Sequence, residues 1–217
     1  RSLPCDQDAD FELEQRGLLA SDPGLQIQAD DGTIAWDMTS YEFTKGAAPD
    51  TVNPSLWRQA KLNMIHGLFE VTDGIYQVRG YDLSNISFVR SDTGWIVLDP
   101  LISVESARAA LSLVNETLGE RPVVAVIYSH SHADHFGGVR GVTTPEDVSQ
   151  GRVRIVAPEG FVHHAVSENV LVGNVMTRRA AYMFGRLLPA GARGRVAHQP
   201  ADRGGQGRHV ARREEQP

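Results

Sequence analysis

Cysteine is nearly missing from this sequence: Cys5 is the only one among 217 residues. That excludes an intrachain disulfide and any zinc site built from several thiolates. No apolar run approaches the ~20 residues that a membrane-spanning helix requires, so no segment is expected to cross a bilayer. An excess of positive charge is lacking as well. The net charge of -6 argues against a nucleic-acid partner, because such binders are usually basic. The chain starts with Arg1 rather than methionine, and no leader-like pattern follows it. Either a targeting segment has been removed or the sequence begins inside a longer one. Periplasmic, secreted and cytoplasmic placement all stay open.

What is present suffices for one good core, at most one and a half. Apolar residues make up 41% and charged residues 22%, an ordinary balance for a globular protein. Residues 1–50 read as a polar arm with turns at Asp22-Pro23-Gly24 and Asp31-Gly32, pinned to a body by Trp36, Tyr41 and Phe43. Asn53-Pro54 reads as a helix cap and first turn, opening a helix through Leu62. Residues 74–78 alternate like a half-buried strand, and residues 86–90 and 95–98 flank the turn Ser91-Asp92-Thr93-Gly94 as a hairpin.

Ser103 can cap a helix with an apolar stripe of Val104, Ala107, Leu111, Val114 and Leu118, stopped by Gly119 and Pro122. The run Val123-Val124-Ala125-Val126-Ile127-Tyr128 suits a strand covered on both faces. A short helix at Thr144-Pro145, a strand over 153–156 and a largely helical stretch over 161–188 complete an α/β layered pattern. Residues 51–196 form one unit in this reading. The stretch 197–217 carries no aromatic residue and is dominated by Arg, Gly, Gln and Glu, which predicts disorder. A natural flexible tail and a shifted reading frame both account for it.

The chemistry concentrates in His130-Ser131-His132-Ala133-Asp134-His135. Hydrolytic zinc sites need neutral imidazoles and carboxylates held rigidly, and two zincs sharing a water need them dense in sequence. His130 and His132, two apart at the end of a buried strand, point the same way and suit one metal. Asp134 and His135, in the turn beyond, can reach a second. Gly137 and Gly138 allow a tight bend, Phe136 anchors the loop, and Asp99 ends a strand where it could hold a ligand imidazole in its tautomer. A lone histidine would read as a surface or core residue, but three with an aspartate in six residues read as metal ligands. His66 and the pair His163-His164 read instead as structural, His198 and His209 as tail residues, and Arg178-Arg179 as a solvated helix face.

The H-x-H-x-D-H run after a hydrophobic strand resembles the signature of the metallo-β-lactamase fold, which hosts β-lactam, thioester, lactone and phosphodiester hydrolysis. Other stretches narrow the resemblance. Residues 48–59 (Ala48-Pro49-Asp50-Thr51-Val52-Asn53-Pro54 onward), His66-Gly67-Leu68-Phe69-Glu70-Val71 and Gly80-Tyr81-Asp82-Leu83-Ser84-Asn85 resemble zinc-dependent alkyl sulfatases that act on detergents such as dodecyl sulfate. So do Ala157-Pro158-Glu159-Gly160-Phe161 and His164-Ala165-Val166-Ser167-Glu168-Asn169. The resemblance runs from about residue 34 to about residue 196.

It implies an αββα sandwich of which only the first half would be present. It also implies two Zn2+ per complete site, with His130 and His132 on one ion and Asp134 and His135 on the other. Further ligands, sulfate-binding residues, a homodimerisation domain and a lipid-carrier-like domain would come later in a longer chain. A different hydrolase of the same fold, acting on a lactone, thioester or β-lactam, and a non-catalytic metal-binding fragment are the competing readings.

Overall fold

The structure is a computed structural model, and it describes residues 8–185 and 187–196. Cys5, His198, His209 and the stretch expected to be disordered lie outside the described residues.

A mixed seven-stranded sheet forms the body. Strands β4 (Gly67–Thr72), β5 (Ile75–Arg79), β6 (Ile86–Arg90) and β7 (Trp95–Leu98) make an antiparallel meander. The predicted strand over 74–78 and the hairpin over 86–98 are therefore present. Period-two patterning fixes the faces: Tyr76, Val78, Ile86, Phe88, Trp95 and Val97 are buried, while the residues between them are half-buried. Trp95 sits at the centre, edge-on to Tyr76 and Phe88, with its indole N–H donating to Asn115 Oδ1 at 2.9 Å. Burying a large aromatic ring of this kind is worth ~2–3 kcal/mol.

Helix α3 (Val104–Leu118) starts where the sequence predicts, with Ser103 Oγ accepting from the Ser106 amide. Its small buried residues Ala107 and Ala110, with Val114, let it lie close against the sheet. It is the crossover that a parallel pair demands, joining β7 to β8 (Val123–Ile127), which in turn pairs in parallel with β9 (Arg154–Val156). Strand β8 departs from expectation. Only Val126 is buried and its neighbours are half-buried, so the strand is not covered fully on both faces.

Residues 8–50 are more than an arm. Helix α1 (Ala9–Gln15) precedes β1 (Leu18–Ala20), which joins the sheet edge by pairing with β4. A small hairpin of β2 (Gln26–Gln28) and β3 (Ile34–Asp37) places Ile27 and Trp36 in the same core. Tyr41 is buried in a 3-10 turn over Thr39–Lys45, and Phe43 packs on Trp57 of helix α2 (Pro54–Asn63), which Asn53 caps as predicted. Beyond β8 and the candidate site come α4 (Pro145–Ser149), β9, α5 (Phe161–Val166), a π-helical turn (Ser167–Leu171) and α6 (Gly173–Phe184). Among the described residues, no helix is long and apolar enough to cross a membrane.

Candidate metal centre

Leu98 and Ile127 are register partners in the parallel pair β7–β8, so the chain leaves both strands at the same sheet edge. Asp99 follows one and His130 the other. That topological fact brings residues thirty positions apart into contact.

Asp99 is the hub. Its Oδ1 accepts from the Ser129 amide at 2.7 Å, and its Oδ2 accepts from the Ser129 hydroxyl at 2.6 Å and from His135 Nδ1 at 2.9 Å. The Ser129 hydroxyl, having spent its proton on Asp99, accepts from His130 Nδ1 at 2.9 Å. The network thus assigns the Nδ1 proton of both imidazoles, His135 directly and His130 through Ser129, and leaves each Nε2 with a lone pair. Asp99 and Leu101 both carry positive φ (54° and 59°), a costly conformation for non-glycine residues. Backbone bonds hold it: Asp99 N–H to Ile127 O at 3.0 Å and Leu101 N–H to Asp99 O at 2.8 Å.

His132 precedes, and Asp134 and His135 lie within, a short 3-10 turn over Ala133–His135. The His130 ring centroid is 4.5 Å from His132 and 4.1 Å from His135, so the three imidazoles form one cluster. Phe136 stands among Tyr128 and Phe161, fixing the loop beyond. The two glycines that follow serve close approach rather than an unusual bend. A Cβ on Gly138 would lie 2.2 Å from Pro100 O, and one on Gly137 would lie 2.4 Å from Ile102 O.

The donors fit a metal in kind. His135 Nε2 and Asp134 Oδ2 are 3.4 Å apart, close to the roughly 3.3 Å between two ligands of a tetrahedral zinc at ~2.0–2.1 Å. His132 Nε2 instead meets Glu168 Oε1 at 3.2 Å. No group of three or more His, Cys, Asp or Glu side chains among the described residues is arranged to hold one ion, because these side chains face Glu168 and Asp99 as well as each other.

The other histidines among the described residues stand apart from this cluster. His66 is buried, with its ring nitrogens 2.7 Å from Met64 O and 2.7 Å from Asp22 O, and His163 and His164 pack on each other on α5. Arg178 and Arg179 are exposed on α6, as expected of a solvated helix face, and Arg179 also lines a cleft with His132 and Asp134. Sequence reasoning assigned no role to Ser129, Glu168, Ser84 or Asp82. Ser84 donates its hydroxyl to Asp134 O, and the π-helical turn presents Glu168. None carries a local spacing signal, since each also reaches a residue far away in sequence.

Asp82 is buried, and burial pushes its carboxyl up to about 6, against the pull of the Leu83, Ile102 and Ser103 amides and the Ser106 hydroxyl. With the folded value above the unfolded 3.8, the folded state holds the extra proton between those limits. Its stabilising effect is full below about pH 3.8 and lost as pH rises through 6. Asp82→Asn should therefore flatten the fall in stability across that window, a difference of at most ~3 kcal/mol, read from urea midpoints at stepped pH. Parallel wild-type and variant curves would overturn this.

Residues 79–211, more than half of the chain, match the metallo-beta-lactamase superfamily. The chain is 54% identical to a linear primary-alkylsulfatase of Pseudomonas sp. over 90% of its own length and 29% of that protein. It is 46% identical to an alkyl/aryl-sulfatase of Saccharomyces cerevisiae, over 90% of this chain and 30% of that one. The solved structure of the stereoselective inverting sec-alkylsulfatase Pisa1 from Pseudomonas sp. superposes with a TM-score of 0.83 at 49% identity, covering 88% of this chain and 30% of that one. The chain thus spans about 30% of the length of the relatives it matches. Mixed sheet, parallel β7–β8 edge and H-x-H-x-D-H loop agree with the match, and the chain belongs to the metallo-beta-lactamase superfamily.

Proposed function

We propose that this chain supplies the metal-binding part of a hydrolase that cleaves sulfate esters of primary alkyl alcohols. The observation that carries the reading is the 54% identity to a linear primary-alkylsulfatase across 90% of the chain. A cleft of about 530 Å³ beside the histidines supports it. Leu83, Ile102, Met176, Met183 and Phe184 give the cleft an apolar wall suited to an alkyl chain, and Arg179 adds a positive charge suited to an anionic head.

In this reading His130 and His132 hold one zinc, and Asp134 and His135 hold a second. Bound zinc supplies positive charge for an ester anion and makes water acidic enough to ionise near neutral pH. The chain's own residues do the positioning. Asp99 and Ser129 keep the Nδ1 protons of His135 and His130 in place, so that each Nε2 is offered to the metal. The homodimer implied by the resemblance is carried over on the same terms.

Four ligands divided between two ions leave each with two protein donors, where tight sites use three or more. The chain by itself should therefore bind zinc weakly, with dissociation constants of about micromolar or above, measured by titration and native mass spectrometry. Sub-nanomolar binding of two zincs would refute this ligand count. The function is tested in a chimera carrying this chain in place of the aligned 198 residues of the Pseudomonas linear primary-alkylsulfatase. It should hydrolyse dodecyl sulfate in preference to lactones, thioesters and β-lactams. A chimera that folds, loads zinc and prefers a lactone would replace the alkyl sulfate reading with the rival hydrolase.

A further inference from the structure

We propose that Asp82 is a positioning residue of the metal centre, whose buried carboxylate holds the loop of residues 99–103 in the place from which Asp99 reaches His135. The inference rests on reading His130, His132, Asp134 and His135 as metal ligands.

The loop of residues 99–103 does three things at once. Asp99 grips Ser129 and His135, Leu101 O accepts from Gly138 N–H at 2.9 Å, and Ser103 caps α3. Two of its residues carry positive φ, so its shape is not one the chain would choose unaided. Asp82 Oδ2 accepts from Ile102 N–H at 3.2 Å, while Oδ1 accepts from Leu83 N–H at 2.6 Å. One carboxylate thereby ties the segment before β6 to the turn after β7.

The same segment reaches the ligand turn from the other side, since the Ser84 hydroxyl donates to Asp134 O. Gly137 and Gly138 then pack on the carbonyls of Ile102, Pro100 and Ser103, so any shift of that loop is passed to the turn carrying Asp134 and His135. A carboxylate only 5% exposed is costly to bury unless hydrogen-bonded, and the Leu83 and Ile102 amides supply those bonds. Its two ends account for a stretch, Gly80 to Asn85, that the metal chemistry alone leaves without a role.

The test compares Asp82→Asn and Asp82→Ala with Thr44→Val in the full chain. Thr44 is equally buried and bonded to Tyr41 O at 2.8 Å, in the 3-10 turn beside α2 and away from the site. Two quantities are measured: zinc affinity by titration with the metal alone, and amide hydrogen exchange by NMR. Both Asp82 variants should exchange the Gly138 and Ile102 amides at least ~10-fold faster while β5 amides keep their protection, and should bind zinc ~10-fold more weakly. Thr44→Val should lower the melting temperature yet keep zinc affinity within ~2-fold.

Unchanged Gly138 exchange, or an equal loss of zinc affinity in Thr44→Val, would overturn the proposal. If Asp82→Ala fails to fold, the isosteric asparagine decides. If the wild-type chain takes up no zinc, the ligand reading falls, and the exchange data still decide whether Asp82 holds the loop.

Discussion

His132→Ala, introduced into the alkylsulfatase chimera, should cut the rate on dodecyl sulfate by about a hundredfold or more. The imidazole stands at the junction of two structures: its ring packs 4.5 Å from His130, and it lines the cleft whose far side is α6. On the proposed reading, removing it takes a donor from one metal, at the start of the 3-10 turn five residues beyond β8. It also removes the group that meets Glu168 Oε1 at 3.2 Å. A sulfate monoester is an anion and repels a negatively charged nucleophile, so charge compensation at this point bears directly on the barrier.

His163→Ala is the internal comparison. That side chain is on α5, where its ring packs against that of His164. Its loss should change the rate less than ~3-fold, a barrier change under ~1 kcal/mol. Zinc content is measured in each variant beside the rate. Equal losses in the two would mean that the wrong histidines have been assigned to the site, and a near-normal rate for His132→Ala would sink the two-metal reading.

Asp99→Asn should weaken zinc binding by the chain itself by ~10–100-fold while leaving the fold standing. The asparagine tolerates positive φ, as at the 54° of Asp99, so the backbone need not move. What changes is the inventory of acceptors. Three donors converge on the carboxylate, namely the Ser129 amide, the Ser129 hydroxyl and His135 Nδ1. An amide side chain offers them one oxygen and sets its own N–H groups against the rest. At least one imidazole then loses the bond that keeps its proton on Nδ1, and its Nε2 is no longer held ready as a donor.

Calorimetric titration with zinc reads the affinity, and the melting temperature checks the fold. Asp99→Ala adds backbone strain at the same position and should melt lower than Asp99→Asn. Zinc affinity unchanged in Asp99→Asn would show that the hydrogen bonds seen around this carboxylate do not prepare the ligands.

Local chemistry was legible wherever a residue acts on its own neighbours. Asn53 and Ser103 cap their helices because the side chain reaches an amide two or three positions on. The alternation over β5 to β7 and the apolar stripe of α3 follow from the period of each element. The density of His130, His132, Asp134 and His135 marks a candidate metal centre for the same reason.

Other features escaped. Strands β1, β2 and β3 are three or four residues long, too short to show a period, and are stabilised by the partners they find. Gly137 and Gly138 lie in the turn between two 3-10 segments as expected, but what excludes a side chain there is contact with the carbonyls of Pro100, Ile102 and Ser103, which the sequence does not show. Arg179 is solvated as expected, but its place on the cleft wall has no signal, because nothing in its own helix says which face meets a cleft.

The sequence by itself determined the longer elements and the dense run of candidate donor groups, since both depend on spacing along one chain. The tertiary structure decided which groups meet. Parallel pairing of β7 with β8 brings Asp99 to Ser129 and His135, burial places Asp82 under the loop of residues 99–103, and the π-helical turn brings Glu168 to His132. Hydrogen bonds of this kind act over about 3 Å, and only the fold converts a separation of thirty residues into that distance.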